Sequence, residues 1–134
     1  TTLPLVLKGI LAGDDARLAA DHGAAGLIVS NHGGRQLDGS VSTVYALRDV
    51  VEAAGDRLEV LVDGGIRRGS HVVAALAMGA RAVLIGRPYL WGLAVNGEDG
   101  VRRVLDDFRN EIVLAMALCG RATVADIDRS LIAG

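Results

Sequence analysis

The chain of 134 residues has a formal net charge of −2 and is 51% hydrophobic, a composition typical of an α/β domain with a substantial apolar core. The near-neutral charge argues against nucleic-acid binding, and no apolar run reaches the roughly 18–20 residues that span a bilayer, so we expect no membrane partner. The single cysteine, Cys119, excludes an internal disulfide and favours a reducing compartment, so we expect a cytoplasmic protein.

Predicted strands and helices alternate along the chain with connections of a few residues, which is the pattern of a parallel sheet. Each strand is a short continuous apolar run, and the first three helices are each followed by a glycine. We expect strands over 3–7, 27–29, 58–62 and 82–85. We expect helices over 13–23, 42–54, 70–78 and 88–118, the last with a break near 96–97, and a short final helix that begins at Thr123 with a capping box.

An internal repeat indicates how these units are arranged. Residues 23–29 resemble 79–85, and residues 5–10 resemble 61–66, so two βα units recur after about 56 residues. Four βα units with such a repeat correspond to half of a (β/α)8 barrel, whereas a doubly wound sheet would carry a G-x-G-x-x-G turn after its first strand, which this sequence lacks. We therefore predict that residues 1–134 form half of one TIM barrel domain and that the other half lies outside them.

Polar clusters lie at the carboxyl ends of the predicted strands. Lys8 follows the first strand, residues 30–35 follow the second, residues 63–67 follow the third, and residues 86–87 follow the fourth. The carboxyl ends of barrel strands share one rim, where barrel enzymes place their active sites, so we expect these clusters to form one site. Lys8 is the only lysine among the 14 basic residues, which suggests a specific use for its compact ammonium group.

The third and fourth strand ends suit a phosphate group. Gly64, Gly65 and Gly69 would let backbone N–H groups approach an anion, and the third predicted helix would point its positive end at the same place. Arg67 and Arg87 could each bind phosphate oxygens through a guanidinium fork. The alternative is two tight turns that carry surface arginines.

The second strand end carries the groups for acid–base chemistry. His32 could act as a general base, while Arg35 could bind a substrate carboxylate through two parallel hydrogen bonds. Lys8 could place its charge beside an electron-rich ring. The alternatives are a glycine-rich turn with a solvated histidine and arginine, and a lysine that extends into water. We interpret His22 and His71 as structural residues on helices away from the rim, and no spacing of His, Cys and carboxylates predicts a metal site.

Three motifs together closely resemble the FMN-dependent 2-hydroxy acid oxidase/dehydrogenase family: Ser-Asn-His-Gly-Gly-Arg-Gln-Leu-Asp at 30–38, Asp-Gly-Gly-Ile-Arg-Arg-Gly at 63–69 and Ile-Gly-Arg-Pro at 85–88. The resemblance covers essentially the whole chain and implies the carboxyl-terminal half of the family's barrel, its last four βα units. The amino-terminal half would then supply a pair of active-site tyrosines and an aspartate that orients the catalytic histidine. Without that half, we expect this chain to be inactive.

The resemblance also implies a role for each matching residue. His32 would be the active-site base and Arg35 the ligand of the substrate carboxylate. Lys8 would stabilise the negative charge of reduced FMN, and Ser30 would also face the flavin. The ribityl-phosphate would be held by Asp63, Gly65, Arg67, Gly86 and Arg87.

The implied activity is oxidation of a small (S)-2-hydroxy acid to the 2-oxo acid, with electrons passed to FMN and then to O2. The family, and an arginine-rich composition that suggests a bacterial source, favour a mandelate or 4-hydroxymandelate oxidase that assembles as a homotetramer. Alternatives within the family are a lactate or mandelate dehydrogenase and a lactate monooxygenase. A further alternative is a half-barrel that binds FMN without catalysing a reaction. A different flavin enzyme of the barrel class, the type 2 isopentenyl diphosphate isomerase, is disfavoured by the Asn-His-Gly-Gly-Arg-Gln run.

Overall fold

The computed structural model describes residues 1–133 and contains a four-stranded sheet in which neighbouring strands are parallel and follow chain order. This is the strand order of consecutive βα units in a barrel, as the alternating pattern predicts. The strands are β1 (Val6–Ile10), β2 (Gly26–Val29), β3 (Glu59–Val62) and β4 (Ala82–Val83), and the helices are α1 (Gly13–Asp21), α2 (Thr43–Ala54), α3 (Gly69–Ala77) and α4 (Arg87–Leu118).

The two faces of the sheet have different surroundings. Leu27 and Val29 of β2 are fully buried in a core that includes Leu47 of α2. Side chains alternate along a strand, so Ile28 points to the opposite face, as does Leu61 at the paired position of β3, and both are partly exposed. We call this the inner face, because in a (β/α)8 barrel the face away from the helices lines the barrel interior.

Strand β1 starts later than predicted and contains a bulge. Pro4 has no N–H to donate to a ladder, and the regular strand begins at Val6 rather than Leu3. Lys8 pairs with the β2 residue Ile28, but Ile10 pairs with the very next β2 residue, so Gly9 is the extra residue of a β-bulge. Lys8 therefore lies within β1, on the inner face, rather than after the strand.

Helix α4 folds back on itself at the predicted break. Asn96 and Gly97 leave helical geometry, with φ of −151° and +54°. The segments on either side cross so closely that a Cβ on Gly100 would lie 1.9 Å from the carbonyl oxygen of Gly92, a contact that only glycine permits. Although α4 spans 32 residues, none of the helices described in residues 1–133 is long and apolar enough to cross a membrane.

The last predicted helix is a single turn. Val124–Asp126 forms a short 3-10 helix, because the capping box at Thr123 closes around only one turn. The Asp126 carboxylate accepts hydrogen bonds from the Thr123 backbone N–H (2.7 Å) and from its hydroxyl (2.9 Å). These hydrogen bonds, led by the one from the hydroxyl, hold the pKa of Asp126 below its ordinary value.

Candidate active site

A cleft of about 360 Å³ opens at the carboxyl ends of the strands and brings together most of the residues that the sequence singles out. Its wall includes β1, the loops that follow β2 and β3, and the first turn of α4. Ser30 is buried and hydrogen-bonded to groups in this wall. The predicted residues that line the cleft directly are Lys8, His32, Arg35, Asp63, Gly65, Arg67, Gly86 and Arg87.

A larger depression of about 540 Å³ lies at the opposite, amino-terminal ends of the strands. Its two arginines are already paired: Arg57 lies 2.8 Å from Asp21, and Arg81 lies 3.5 Å from Glu59. It also contains no histidine. We therefore place the candidate active site at the carboxyl-terminal rim.

Lys8, Ser30 and Asp63 form one polar network across three neighbouring strands. The Lys8 ammonium group lies 2.8 Å from Asp63 Oδ2 and donates a hydrogen bond of 2.7 Å to Ser30 Oγ. The same hydroxyl oxygen accepts a hydrogen bond of 3.1 Å from the backbone N–H of His32. Ser30 therefore connects the ammonium group to the start of the histidine loop.

Asp63 has one oxygen in this network and one outside it. Asp63 Oδ1 is buried and has no hydrogen-bond partner among the described residues. A buried acceptor without a donor destabilises the folded state by about 1–3 kcal/mol, so such an atom marks a place where a ligand or water donates a hydrogen bond. Beside it, Gly65 has a φ of +81°, and a Cβ added there would meet nothing within 4 Å.

The histidine loop has strained backbone geometry. His32, Gly33 and Gly34 are consecutive residues with positive φ, at 55°, 70° and 73°. The side-chain oxygen of Asn31 accepts a hydrogen bond of 3.1 Å from the Gly33 N–H, and its amide donates to the Val41 carbonyl (3.2 Å). A non-glycine residue in this conformation is held there by its surroundings, which is common at active sites. Asn31, which lies in the predicted polar cluster but was assigned no role, therefore holds the loop in shape, and its position before a glycine turn was the signal.

Gly9 provides the space for the His32 ring. It lies at the bulge of β1 with a φ of +108°, and a Cβ placed on it would lie 3.1 Å from His32 Cε1. The bulge therefore serves the site, because a larger residue would push the imidazole out of position. An isolated glycine inside a predicted strand is the signal that could have identified it.

If His32 is the base and FMN the cofactor that the family resemblance implies, we expect Gly9→Ala to lower kcat about tenfold while FMN remains bound. The added Cβ would displace the imidazole, and a shift of 1 Å in a catalytic group can cost roughly 10²-fold. Steady-state turnover and flavin retention of the full-length protein are the measurements. Gly23→Ala is the matched control, since Gly23 also has a left-handed φ (+81°) but an added Cβ would meet nothing within 4 Å. Equal losses from both substitutions would show that backbone strain, and not displacement of His32, is responsible.

Two guanidinium groups flank Gly33. Arg35 Nε donates a hydrogen bond of 3.2 Å to the His32 carbonyl, which leaves its terminal nitrogens for a ligand. Arg87 Nη2 would lie 3.4 Å, and Arg35 Nε 3.9 Å, from a Cβ placed on Gly33. Like charges this close repel each other, so the arrangement favours an anion between them.

Arg67 is held at both ends. Its backbone N–H donates a hydrogen bond of 3.3 Å to His71 Nδ1, and its guanidinium carbon lies 5.4 Å from the centroid of the Trp91 ring. His71 is thus structural, as expected, but it lies in the first turn of α3 beside the rim and not away from it. Trp91 could not be identified from the sequence, because nothing near a single tryptophan in a helical pattern indicates that a distant arginine will lie over its ring.

The backbone N–H of Gly69, which we expected to approach an anion, is already occupied. The backbone N–H of Gly69 donates a hydrogen bond of 2.6 Å to Glu111 Oε2, and α4 packs so tightly there that a Cβ on Gly69 would lie 2.3 Å from the Ile112 nitrogen. The folded-back α4 therefore fills the place that an anion would need. The first turn of α4 itself, at Arg87 and Tyr89, lines the cleft instead.

The cleft has an excess of positive charge. Four basic side chains and one carboxylate line it, a net charge of three positive with the histidine neutral. Within residues 1–133, no group of three or more His, Cys, Asp or Glu side chains is arranged to hold a metal ion. The excess of positive charge beside a histidine favours an anionic ligand in the cleft.

The chain belongs to the FMN-dependent dehydrogenase family, which matches it over residues 1–134. This confirms the resemblance that the three motifs carry.

Among curated relatives, L-lactate oxidase of a Nostoc species is 56% identical over 97% of this chain, and glycolate oxidase of Spinacia oleracea is 53% identical over 99% of it. The solved structure of mandelate oxidase with (S)-2-phenylpropionate matches 93% of this chain at 55% identity, with a TM-score of 0.90. The chain spans 36% of the length of both curated relatives and 37% of the mandelate oxidase chain. These matches confirm the predicted α/β fold as part of a barrel.

Proposed function

We propose that this chain forms the flavin- and substrate-binding half of an enzyme that uses FMN to oxidise a small (S)-2-hydroxy acid to the 2-oxo acid, with O2 as electron acceptor. Relatives named as lactate, glycolate and mandelate oxidases support this class of reaction. The observation that carries the proposal is the cleft, where a histidine, a guanidinium with unbonded terminal nitrogens and an unsatisfied buried carboxylate oxygen line one cationic space.

The residues of the cleft fit FMN. A phosphate monoester carries about −1.5 to −2 charges, and one substrate carboxylate would complete the balance against the basic side chains. Asp63 Oδ1 would accept a hydrogen bond from a ribityl hydroxyl, and the open space at Gly65 would admit the chain that carries it. We assign Lys8 and Ser30 to the flavin ring, and Asp63, Gly65, Arg67, Gly86 and Arg87 to the ribityl-phosphate.

FMN, when bound, supplies the two-electron acceptor that oxidation of an alcohol to a ketone requires. His32 accepts the proton that the substrate releases as its C2 carbon is oxidised. Arg35 binds the substrate carboxylate through its terminal nitrogens while its Nε remains bonded to the His32 carbonyl. Because one hydrogen bond joins the base to the carboxylate ligand, the substrate's C2 carbon is held at a fixed place relative to the imidazole.

We further propose that the other half of a barrel covers the inner face of the sheet. Leu27 and Val29 are fully buried against the helices, whereas Ile28 and Leu61 on the inner face are partly exposed, which is how the lining of a barrel interior looks when half of the barrel is considered alone. The short fraction of each relative's length that the chain spans supports the same arrangement. Turnover then requires both halves.

We also propose a mandelate-type substrate, a homotetrameric assembly and a cytoplasmic location. The matching mandelate oxidase structures support the first. The family resemblance supports the second, and the single cysteine, which suits a reducing compartment, supports the third. Light scattering on the purified full-length protein tests the assembly.

The central experiment is anaerobic mixing of the FMN-loaded full-length protein with (S)-mandelate, (S)-4-hydroxymandelate, L-lactate and glycolate, followed by admission of O2. We expect the visible absorbance of the flavin to bleach with the 2-hydroxy acid and to recover with O2, with formation of the 2-oxo acid and hydrogen peroxide. The fastest bleaching identifies the substrate.

Other outcomes of this experiment select the alternatives. Bleaching without recovery in O2 would indicate a dehydrogenase that uses another acceptor. A decarboxylated product in place of the 2-oxo acid would indicate a monooxygenase. Flavin colour that none of the acids bleaches would support a non-catalytic FMN-binding protein, and lack of flavin binding would contradict the proposal.

A further inference from the structure

We propose that Trp91 is a positioning residue that holds the Arg67 guanidinium in place for the FMN phosphate. The inference rests on the proposed role of Arg67 in phosphate binding. Trp91 would then help the protein to distinguish FMN from a flavin without a phosphate, a role that no sequence motif indicates.

Arg67 and Trp91 have the geometry of a cation–π pair. The Arg67 guanidinium carbon lies 5.4 Å from the centre of the Trp91 ring, within the distance at which a cation is attracted to the face of an aromatic ring. Tryptophan is the most effective aromatic residue in this interaction, and arginine is its commonest cationic partner. The contact therefore orients a side chain that would otherwise move freely in solvent.

Of the three other basic side chains of the cleft, two are already held by neighbouring residues, and the third, Arg87, makes no hydrogen bond or ion pair within residues 1–133. Lys8 is bonded to Ser30 and Asp63, and Arg35 is bonded to the His32 carbonyl. The guanidinium of Arg67 makes no hydrogen bond or ion pair within residues 1–133. Its Nε and Nη groups thus remain available for phosphate oxygens. Arg67 lines both the cleft and the adjacent groove that contains Trp91, so the ring contacts the guanidinium where the two meet.

The Trp91 ring is attached to a fixed backbone but is not part of the core. Trp91 is 51% exposed, so its burial contributes less to folding than that of a core aromatic residue. Its neighbour Gly92 makes the close crossing with Gly100, which fixes the backbone of this turn of α4. A half-exposed tryptophan on a fixed backbone, beside a charged ligand site, suits a positioning role better than a packing role.

The same helix supplies a control. Leu93 is 49% exposed, almost the same as Trp91, and lies two residues away, outside both the cleft and the groove where the tryptophan packs. Truncating Leu93 therefore tests the effect of losing a half-exposed apolar side chain from this turn without touching Arg67.

The test compares FMN with riboflavin, which lacks the phosphate, on the FMN-stripped full-length protein. The measured quantity is the ratio of the two dissociation constants, obtained by fluorescence titration. We expect Trp91→Leu to lower the preference for FMN about two- to thirtyfold, the equivalent of the usual strength of such a contact, and to leave riboflavin binding unchanged. Trp91→Phe should keep an intermediate preference, and Leu93→Ala should keep all of it.

Arg67→Ala separates this inference from the proposed function. We expect it to lower the FMN preference further than the tryptophan variant, and Trp91→Leu added to Arg67→Ala should cause no additional loss. If Arg67→Ala leaves the preference unchanged, the phosphate role of Arg67 is wrong, and the inference that depends on it is overturned as well. If Arg67→Ala lowers the preference and Trp91→Leu does not, the inference alone is overturned.

An equal loss of FMN and riboflavin affinity in Trp91→Leu would show that the ring supports only the fold, and this also overturns the inference. Circular dichroism identifies a variant that does not fold. In that case Trp91→Met, which keeps an apolar side chain of similar length, replaces the leucine variant in every comparison.

Discussion

Replacing His32 with glutamine is expected to slow the reduction of bound FMN by a 2-hydroxy acid about 10²- to 10⁴-fold, the usual contribution of a general base. Glutamine has a similar length and polarity but cannot take up a proton at neutral pH. The loop should keep its shape, because Ser30 holds it through the backbone N–H of residue 32, which the substitution does not change. Rapid-mixing absorbance spectroscopy of the FMN-loaded full-length protein measures the reduction rate.

FMN should remain bound in this variant, since Asp63 and the arginines assigned to the ribityl-phosphate are intact. His22→Gln is the matched control, because the His22 ring is bonded to the Leu18 carbonyl within α1 (2.9 Å) and does not line the cleft. Near-normal reduction in His32→Gln would mean that another group is the base. Loss of flavin from the variant would instead assign His32 to cofactor binding.

Replacing Arg35 with lysine is expected to lower kcat/KM for the 2-hydroxy acid about 10- to 150-fold, because a hydrogen bond to a charged group contributes about 1.5–3 kcal/mol. Lysine keeps the positive charge but lacks the fork that binds both carboxylate oxygens. It also lacks the Nε–H that bonds to the His32 carbonyl, so part of the loss should appear in kcat.

The methyl ester of the same substrate makes the experiment specific. The ester has no carboxylate to bind, so the wild-type protein and Arg35→Lys should turn it over at similar low rates, and the preference for acid over ester should collapse. Arg109→Lys, an exposed substitution on α4, is the control for a general effect of the exchange. An unchanged preference in Arg35→Lys would exclude Arg35 as the carboxylate ligand.

Most of the fold could be predicted from local patterns. Short apolar runs, glycines after helices and the repeat at about 56 residues yield the strand order, because each βα unit is a local structure that packs beside its neighbour in the chain. The break in α4 was also predictable, since Asn96-Gly97 interrupts an otherwise helical pattern. The start of β1 could not be predicted, because apolar residues alone do not show where the hydrogen bonds between neighbouring strands begin.

The composition of the site could also be predicted, because polar residues at strand ends converge on one rim whatever their exact positions. Which of these residues bond to one another could not be predicted. Gly69 carries the glycine signature of an anion site, but Glu111, 42 residues further along the chain, occupies its N–H. Likewise, Gly9 accommodates the ring of His32, and Trp91 lies under Arg67.

The sequence by itself thus determined the class of fold, the rim, and the histidine and cations on it, since periodicity and motifs are properties of neighbouring residues. Only the tertiary structure decided that Asp63 binds Lys8 through one oxygen while the other has no partner among the described residues. It also decided that α4 folds back to occupy the Gly69 N–H and places Trp91 under Arg67. These are contacts between residues far apart in the chain. They depend on how helices and loops pack, which no local pattern encodes.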